Sequence, residues 1–272
     1  DSSTSRGLGD VYKRQDVNEE EELSFDDFDG FDEAPVTDEI EETEAKEALL
    51  TIAEETGQLE TLFLVGLPVD KDGRLYNVAA VLYRGRILGM IPKKNIPMYA
   101  EFYEGRHFTP GEETVTEYRL GKQVIPFGSN LLFRCEELPE LILGCELCED
   151  LWVAEPPSTS HAMMGATVIA NLSASNETVS KDDYRTLLIK ASSARLLCGY
   201  IYTSAGEGES TQDLVFGGHD LIAENGTLLV QSARFTTGIL YTDLDVLKIS
   251  SERRRMGTFG TVSYTHLRAH ET

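Results

Sequence analysis

The segment LGCELCEDLW (143–152) places two of the chain's four cysteines three residues apart. Cys145 and Cys148 could form half of a metal site, a redox pair, or one reactive thiol beside an inert one. The apolar run 140–147 predicts a strand, on which a rise of about 3.3 Å per residue separates their Cα atoms by roughly 10 Å. A disulfide needs less than about 7 Å, and a structural zinc site needs a second ligand pair at short spacing, which this sequence lacks. One reactive thiol is therefore the favoured interpretation.

Cys148 is the better candidate for the reactive thiol. It ends the predicted strand and is followed by Glu149 and Asp150. Its sulfur can therefore project from a sharp turn at the edge of a sheet, where a nucleophile meets its substrate. Cys145 suits the role of a small buried hydrophobic residue. A thiol beside carboxylates stays protonated at neutral pH unless a cation offsets them.

Two lysines in the segment IPKKNIPMYAEFYEGRHF (91–108) are the candidate cations. Lys93 and Lys94 lie at the end of a predicted strand, between two prolines. A lysine pair is most often solvated surface charge, and that alternative stays open. Beside Cys148, one of the two lysines could favour the thiolate and stabilise an oxyanion.

Short apolar strands and two amphipathic helices must position these residues. Helices are predicted at 43–57 and at 180–198, the second capped by Ser180. The runs 140–147 and 166–173 are almost continuously apolar, which is typical of strands covered on both faces. Further strands are predicted at 62–69, 75–83 and 87–93, which form a meander, at 199–205, in a hairpin at 219–233 around Asn225-Gly226, and at 238–246. Strands with covering helices predict a layered α/β domain.

The composition limits the class of protein. The chain has 272 residues, 41% of them apolar, which is enough for a substantial core. No apolar run approaches the length of about 18 residues that a membrane span needs, and no signal peptide is recognisable, so we expect a cytoplasmic protein without membrane contact. Four irregularly spaced cysteines favour reduced thiols. The net charge of −23 argues against nucleic acid as a partner.

Much of the acidity is local. Residues 16–47 contain sixteen Asp or Glu and one Lys. Such a block repels itself, and we expect 16–44 to be a solvated, disordered arm rather than a docking motif. Residues 1–15 and 262–272 resemble translated sequencing adapters, so we expect them to be foreign and the gene to be cut at both ends.

Several motifs together carry a resemblance to a known family. They are PKKNIP, YAEFYEGRHFTPG, CEDLW, NLSASNE, KDDYR and DLVFGGHDLI. They resemble the nitrilase-like glutaminase domain of bacterial glutamine-dependent NAD synthetase, over residues 45–261. The resemblance implies an α/β fold, a four-layer αββα sandwich, here incomplete at its N-terminus.

The resemblance also implies roles for six residues. Cys148 matches the nucleophile, Lys93 the lysine of the Glu-Lys-Cys triad, and Glu104 an auxiliary glutamate. Glutamine-recognition positions fall on Tyr99, Ser175 and Lys181. Some relatives carry Arg at the last position, so Lys181 implies a one-point contact in place of a bidentate clamp. His107, His161 and His219 are interpreted as core or loop residues and Trp152 as a packing residue, and no metal site is expected.

One element of the family pattern has no match. The general-base glutamate belongs to a PEL-like element near the N-terminus, and Glu33 in FDEAPV is only a weak lookalike. Without that base, little would deprotonate Cys148 or return a proton to ammonia. We therefore expect the chain by itself to be close to inactive.

The favoured function is the glutaminase step of NAD synthesis. Glutamine is the expected substrate, no cofactor is expected for its hydrolysis, and ammonia would pass to a synthetase domain that uses ATP and Mg and is absent here. The resemblance also implies a homo-oligomer. Two alternatives stay open: a free-standing amidase of the nitrilase superfamily, and a non-catalytic pseudoenzyme or interaction domain.

Overall fold

The computed structural model describes residues 37–210 and 214–259 of the chain. The predictions for residues 1–15, for 16–36 of the acidic arm, for Glu33 and for 262–272 lie outside this range. The first helix, α1 (Thr37–Glu55), begins six residues before the predicted start. The last residues of the predicted arm, 37–44, are therefore helical.

The first sheet contains five strands and faces α1. The strands are β1 (Leu62–Lys71), β2 (Arg74–Tyr83), β3 (Arg86–Pro92), β4 (Thr116–Leu120) and β5 (Gln123–Phe127), in the order β1-β2-β3-β5-β4. The pairs β1–β2 and β2–β3 are antiparallel, which confirms the predicted meander. β3 pairs with β5 in parallel.

The second sheet contains six strands and carries the cysteine pair. The strands are β6 (Leu132–Arg134), β7 (Ile142–Leu147), β8 (Val168–Ser173), β9 (Gly199–Ser204), β10 (Leu221–Glu224) and β11 (Thr227–Gln231), in sequential order across the sheet. β7, β8 and β9 are parallel, and β10–β11 is the predicted hairpin. Three more helices follow in the chain: α2 (Pro157–Met163), α3 (Lys181–Leu196) and α4 (Val246–Arg255).

Side-chain alternation on the strands arranges these elements in four layers. On β2, Val78, Ala80 and Leu82 pack with Leu49 and Ala53 of α1. The intervening residues of β2 point the other way and meet the second sheet in a cluster of Ala79, Val81, Ile91, Leu131, Cys145 and Leu147. The far face of the second sheet packs on α2 and α3 through Ile169, Tyr200, Leu221, Ala162, Ile189 and Leu196. The αββα sandwich is confirmed.

The structure differs from the sequence predictions at several elements. Residues 238–246 are not a strand. Leu244 packs where Gly199 leaves room, since a Cβ at Gly199 would approach Leu244 Cδ1 to 2.7 Å. Ser180 has a left-handed backbone with φ of 61° and its side chain makes no capping hydrogen bond to α3. Strands β4 to β6 and helices α2 and α4 were not predicted. Among the described helices none has the length and apolar character needed to cross a membrane.

Candidate functional site

All six predicted site residues line one open pocket. Its volume is about 1000 Å³, and it lies where the chain leaves β3, β7 and β8. Carboxyl ends of neighbouring parallel strands meet at the same edge of a sheet, which explains why residues distant in sequence converge here. The six residues are Lys93, Tyr99, Glu104, Cys148, Ser175 and Lys181.

Cys148 lies at a sharp turn at the end of β7. Its φ is +44°, and it begins a short 3-10 helix, Cys148–Leu151. Its sulfur is partly accessible and lies 3.9 Å from the carbonyl oxygen of Ala174. Cys145 is fully buried, and burial raises the pKa of its thiol far above the usual range. Both are free thiols, so the structure separates one accessible sulfur from one core residue.

Two buried polar side chains hold this turn in place. The backbone N–H of Cys148 donates to Asn171 Oδ1 at 3.1 Å. The Asp150 carboxylate accepts from the backbone N–H of Leu147 at 3.0 Å. It also accepts from both the backbone N–H and the side-chain amide of Asn95, each at 2.8 Å. Asp150 thereby fastens the turn after β7 to the segment that follows β3 in the other sheet.

The two candidate lysines have different environments. Lys93 is 2% exposed and its ammonium forms an ion pair with the Glu104 carboxylate inside the pocket. Asn77, from the middle of β2, donates its side-chain amide to the same carboxylate at 2.8 Å. Lys94 instead pairs with Glu113 at 2.5 Å on the surface. Surface charge is therefore the correct interpretation for Lys94 and not for Lys93.

The same pocket carries a second carboxylate and a second cation. The Tyr99 hydroxyl donates to Glu149 at 2.9 Å. The pKa of Tyr99 is raised to about 12, mainly because of burial and secondly because of this hydrogen bond. The pKa of Glu149 is also raised, chiefly by burial.

Lys181 is the second cation of the pocket. Its Nζ lies 5.2 Å from the ring centroid of Trp152 and 5.5 Å from that of Phe102, and it donates to Asn176. Burial, followed by the charge of Arg185, lowers the pKa of Lys181.

A fully buried arginine supports the loop that carries Ser175. Arg185 donates to Ser175 Oγ at 3.2 Å, to Glu177 at 2.9 Å and to His219 Nδ1 at 3.0 Å. Burial and the Arg185 charge lower the pKa of His219, which therefore acts as a neutral acceptor. Gly217 of the FGGH segment lies against Glu177, and a Cβ there would approach Glu177 Cγ to 2.7 Å.

Sequence reasoning missed the residues that support the six. Asn77 has no local signal, because its role depends on a contact across the fold. Arg185 ends the KDDYR motif, but its contacts with Ser175, Glu177 and His219 are not readable from the sequence. Glu149 follows the nucleophile candidate and Trp152 ends the CEDLW motif, and this proximity could have marked both as pocket residues. Of the three histidines, His161 is buried against Ser129 O at 2.9 Å, whereas His107 lines the pocket. Over the described part of the chain, no group of three or more His, Cys, Asp and Glu side chains could hold a metal ion.

Known proteins with sequence similarity cover most of this chain. The glutamine-dependent NAD(+) synthetase of Mycobacterium tuberculosis (strain ATCC 25618 / H37Rv) is 44% identical over 216 residues, which are 79% of this chain and 32% of that protein. The glutamine-dependent NAD(+) synthetase of Thermotoga maritima is 32% identical over 207 residues, or 75% of this chain and 32% of that protein. The chain thus spans about a third of the length of these relatives.

Structural similarity leads to the same group of proteins. The crystal structure of a glutamine-dependent NAD(+) synthetase from Cytophaga hutchinsonii superposes with a TM-score of 0.64 at 28% identity, over 73% of this chain and 31% of that one. Residues 28–254 match the family model described as Carbon-nitrogen hydrolase. That match extends over most of the chain, including both sheets and the pocket. The chain belongs to the carbon-nitrogen hydrolase family.

Proposed function

We propose that this chain is the glutaminase part of a glutamine-dependent NAD synthetase. The observation that carries the proposal is the pocket itself. It brings together an accessible thiol, a buried ammonium, a carboxylate and a second ammonium. A free amino acid with a side-chain amide has groups that match this set. The similarity to NAD synthetases supports this choice of amide.

In the proposed reaction the Cys148 sulfur attacks the side-chain amide carbon of glutamine. The Lys93 ammonium stabilises the negative charge that develops on the amide oxygen. The C–N bond then breaks, the amide nitrogen takes up a proton, and ammonia leaves a glutamyl thioester on Cys148. Water attacks the thioester carbon, glutamate is released, and the sulfur regains its proton. Glu104 and Asn77 hold Lys93 in position throughout.

Other groups of the pocket would recognise the amino-acid part of glutamine. Lys181 can pair with the α-carboxylate by a single-point contact, and Ser175 can donate to it. Glu149, held by Tyr99, can accept the α-ammonium group. The two rings beside Lys181 exclude water from its ammonium, which strengthens the interaction of this cation with a carboxylate.

The general base is the part of the mechanism that these residues do not supply. Glu104 is occupied by Lys93 and Asn77, and Glu149 by Tyr99. The family resemblance assigns the base to an N-terminal element without a match, so low activity of this chain by itself stays a prediction. We further propose that ammonia is used by a synthetase domain with ATP and Mg, and that the protein forms homo-oligomers.

The nucleophile assignment is tested by Cys148→Ala in the full-length protein. Ammonia release from glutamine is measured with a coupled glutamate dehydrogenase assay. We expect hydrolysis to fall by at least 1000-fold, because no covalent intermediate can form without the sulfur, about the size of loss seen when a catalytic nucleophile is removed. Cys135→Ala, a partly exposed thiol away from the pocket, is the control and should keep wild-type activity. Comparable ammonia release from Cys148→Ala and wild type would contradict the proposal.

A free-standing amidase is a second candidate, and the size of the pocket favours it. A volume of about 1000 Å³ exceeds what glutamine needs, and the pocket extends past Cys148 to Gly66 and Phe108. A panel of ω-amides and carbamoyl compounds discriminates the two functions. A kcat/KM for a larger amide that exceeds the value for glutamine would favour the amidase.

A further inference from the structure

Behind Cys148, a chain of buried hydrogen bonds runs through the second sheet. Glu146 Oε2 accepts from the backbone N–H of Ser158 at 2.7 Å, and Glu146 Oε1 accepts from the Tyr200 hydroxyl. Asn171 Nδ2 lies 3.4 Å from the same hydroxyl oxygen. Asn171 Oδ1 then accepts from the backbone N–H of Cys148. Glu146, Asn171 and Tyr200 are each at most 1% exposed, so water does not compete.

The hydrogen bonds in this chain have a fixed direction. A carboxylate can only accept, so the Tyr200 hydroxyl donates its proton to Glu146. Burial, and then the charge of Glu146, raise the pKa of Tyr200 well above its usual value, so the hydroxyl keeps that proton. The tyrosine oxygen is then free only to accept from Asn171. The amide of Asn171 must therefore present its oxygen, and not its nitrogen, to Cys148.

The backbone conformation of Cys148 makes this contact important. With φ of +44°, Cys148 occupies the left-handed region, which is strained for a residue with a side chain. Such a conformation persists only where surrounding contacts fix it. Asn171 accepts the one hydrogen bond that the Cys148 N–H donates, on the side away from the pocket.

We propose that Glu146, Tyr200 and Asn171 form a positioning relay that sets the orientation of the Cys148 turn from behind the sheet. The proposal rests on the proposed function, because it assumes that Cys148 is the nucleophile. None of the three residues lines the pocket. They are therefore positioning residues and not catalytic ones.

A single conservative substitution reverses the donor and acceptor roles along these hydrogen bonds. In Glu146→Gln, the Ser158 N–H still requires an acceptor, so the glutamine oxygen faces Ser158 and its NH2 group faces Tyr200. The hydroxyl must then donate to Asn171, whose amide turns over to accept. Its NH2 group now meets the N–H of Cys148, and two donors face each other. The turn loses its hydrogen bond although the shape of the side chain is almost unchanged.

If Glu146 had a purely structural role, Glu146→Gln would lose activity only together with thermal stability. Burial raises the pKa of Glu146 to about 7, so the folded state is penalised for holding this carboxylate ionised. A neutral amide removes that penalty. Loss of activity without loss of thermal stability therefore distinguishes positioning from packing.

The test uses the full-length protein at pH 8, where Glu146 is ionised in the wild type. For Glu146→Gln we expect kcat for glutamine hydrolysis to fall about 10- to 100-fold, the cost of a misplaced reacting group, with KM within about twofold. Alkylation of Cys148 by iodoacetamide, followed by mass spectrometry, should slow as well. The Tm should be equal to or above that of the wild type.

The matched control is Glu224→Gln. Glu224 is a buried glutamate of the same sheet that accepts from the backbone N–H of Asp245 at 2.7 Å and does not line the pocket. Its kcat should equal the wild-type value. Tyr200→Phe removes the hydroxyl altogether, and we expect a similar fall in kcat. The double variant Glu146→Gln/Tyr200→Phe should be no slower than either single variant, since both break one relay.

The relay would be overturned by wild-type kcat in both Glu146→Gln and Tyr200→Phe, or by a fall in kcat that occurs only with a lower Tm. It would also be overturned by an equal loss of kcat in Glu224→Gln, or by additive losses of activity in the double variant. A failure of the relay can be distinguished from a failure of the nucleophile assignment. If Cys148→Ala stays active, the proposed function fails; if Cys148→Ala is inactive and the relay variants are unaffected, the relay alone fails.

Discussion

Lys93 and Lys94 are adjacent in the chain, yet only Lys93 of the two lines the pocket. The strand end at Pro92 directs Lys93 into the pocket, where it pairs with Glu104, and leaves Lys94 with Glu113 on the surface. A surface ion pair contributes at most about 1 kcal/mol to stability. A buried ammonium in a pocket can instead stabilise charge that develops during a reaction.

Substitution of these neighbours gives a matched pair of variants. Lys93→Met should lower kcat for glutamine hydrolysis by at least about 100-fold, because the developing oxyanion loses its cation. Lys94→Met should stay within about twofold of wild type. Steady-state ammonia release measures both. Equal effects of the two substitutions would refute the distinction between the two lysines.

At the scale of single residues, sequence identifies groups with intrinsic chemistry and misses the groups that hold them. Cys148 was found because thiols react and because it ends a predicted strand, whereas the family resemblance selected Lys93 over Lys94. Asn77 is an ordinary strand residue by every local measure, and Asn171 begins the NLSASNE motif but had no role assigned to it. Their importance arises from partners 27 and 23 positions away, and no local pattern encodes such a pairing.

At the scale of elements, one side chain joins α4 to several backbone carbonyls elsewhere in the domain. The Arg253 guanidinium donates to the carbonyl oxygens of Ala166 at 2.6 Å and of Leu196 and Leu197 at 2.9 Å, and it lies 4.7 Å from the ring centroid of Phe259. The last two carbonyls belong to the end of α3, where backbone acceptors have no partner within the helix. One planar cation thereby satisfies several orphan acceptors.

Loss of this contact should weaken the whole domain. Arg253→Met should lower the free energy of unfolding by about 3 kcal/mol, because buried carbonyls lose a charged donor. Urea denaturation followed by circular dichroism measures the change. Arg254→Met, at an exposed position of the same helix, should be within about 0.5 kcal/mol of wild type. A small effect of Arg253→Met would mean that water or other donors replace it.

The success of element prediction depended on burial. The strands β7 and β8 were found because both of their faces are covered and their runs are apolar throughout. Strands β4 to β6 were not predicted because they are short and carry polar residues at exposed positions. The segment 238–246 has apolar residues at strand-like spacing, but Ile239 and Tyr241 are 92% and 84% exposed. Spacing alone could not show that this segment does not join the sheet.

At the scale of the whole molecule, a buried histidine links the helix layer to the first sheet. His161 of α2 lies within hydrogen-bond distance of Ser129 O, in the loop after β5, and burial lowers its pKa to about 4. An unfolded chain takes up a proton at this residue near pH 6.5, whereas the folded chain resists until about pH 4. The unfolded state therefore binds more protons between these values, and stability falls as the pH falls.

This pH dependence can be measured directly. Between pH 6.5 and 4, His161 should lower the free energy of unfolding of the wild type by about 3 kcal/mol. His161→Gln should lack that contribution, so its stability should change less over this range. Glu146 acts in the opposite sense: its raised pKa of about 7 makes stability fall as the pH rises from 4.5 to 7. The Glu146→Gln variant should therefore show a steeper acid loss than wild type, and parallel curves for all three proteins would contradict both assignments.

Asp150 joins the two sheets at the pocket, with consequences for the order of events during synthesis. Lys93 and Asn95 emerge from the ribosome more than fifty residues before the turn at Cys148–Leu151 and the strands that follow it. The first sheet can form while the sulfur is still being translated. Full reactivity of the Cys148 thiol should therefore appear late, once both sheets have packed together. The rate at which the thiol reacts then reports when folding is complete.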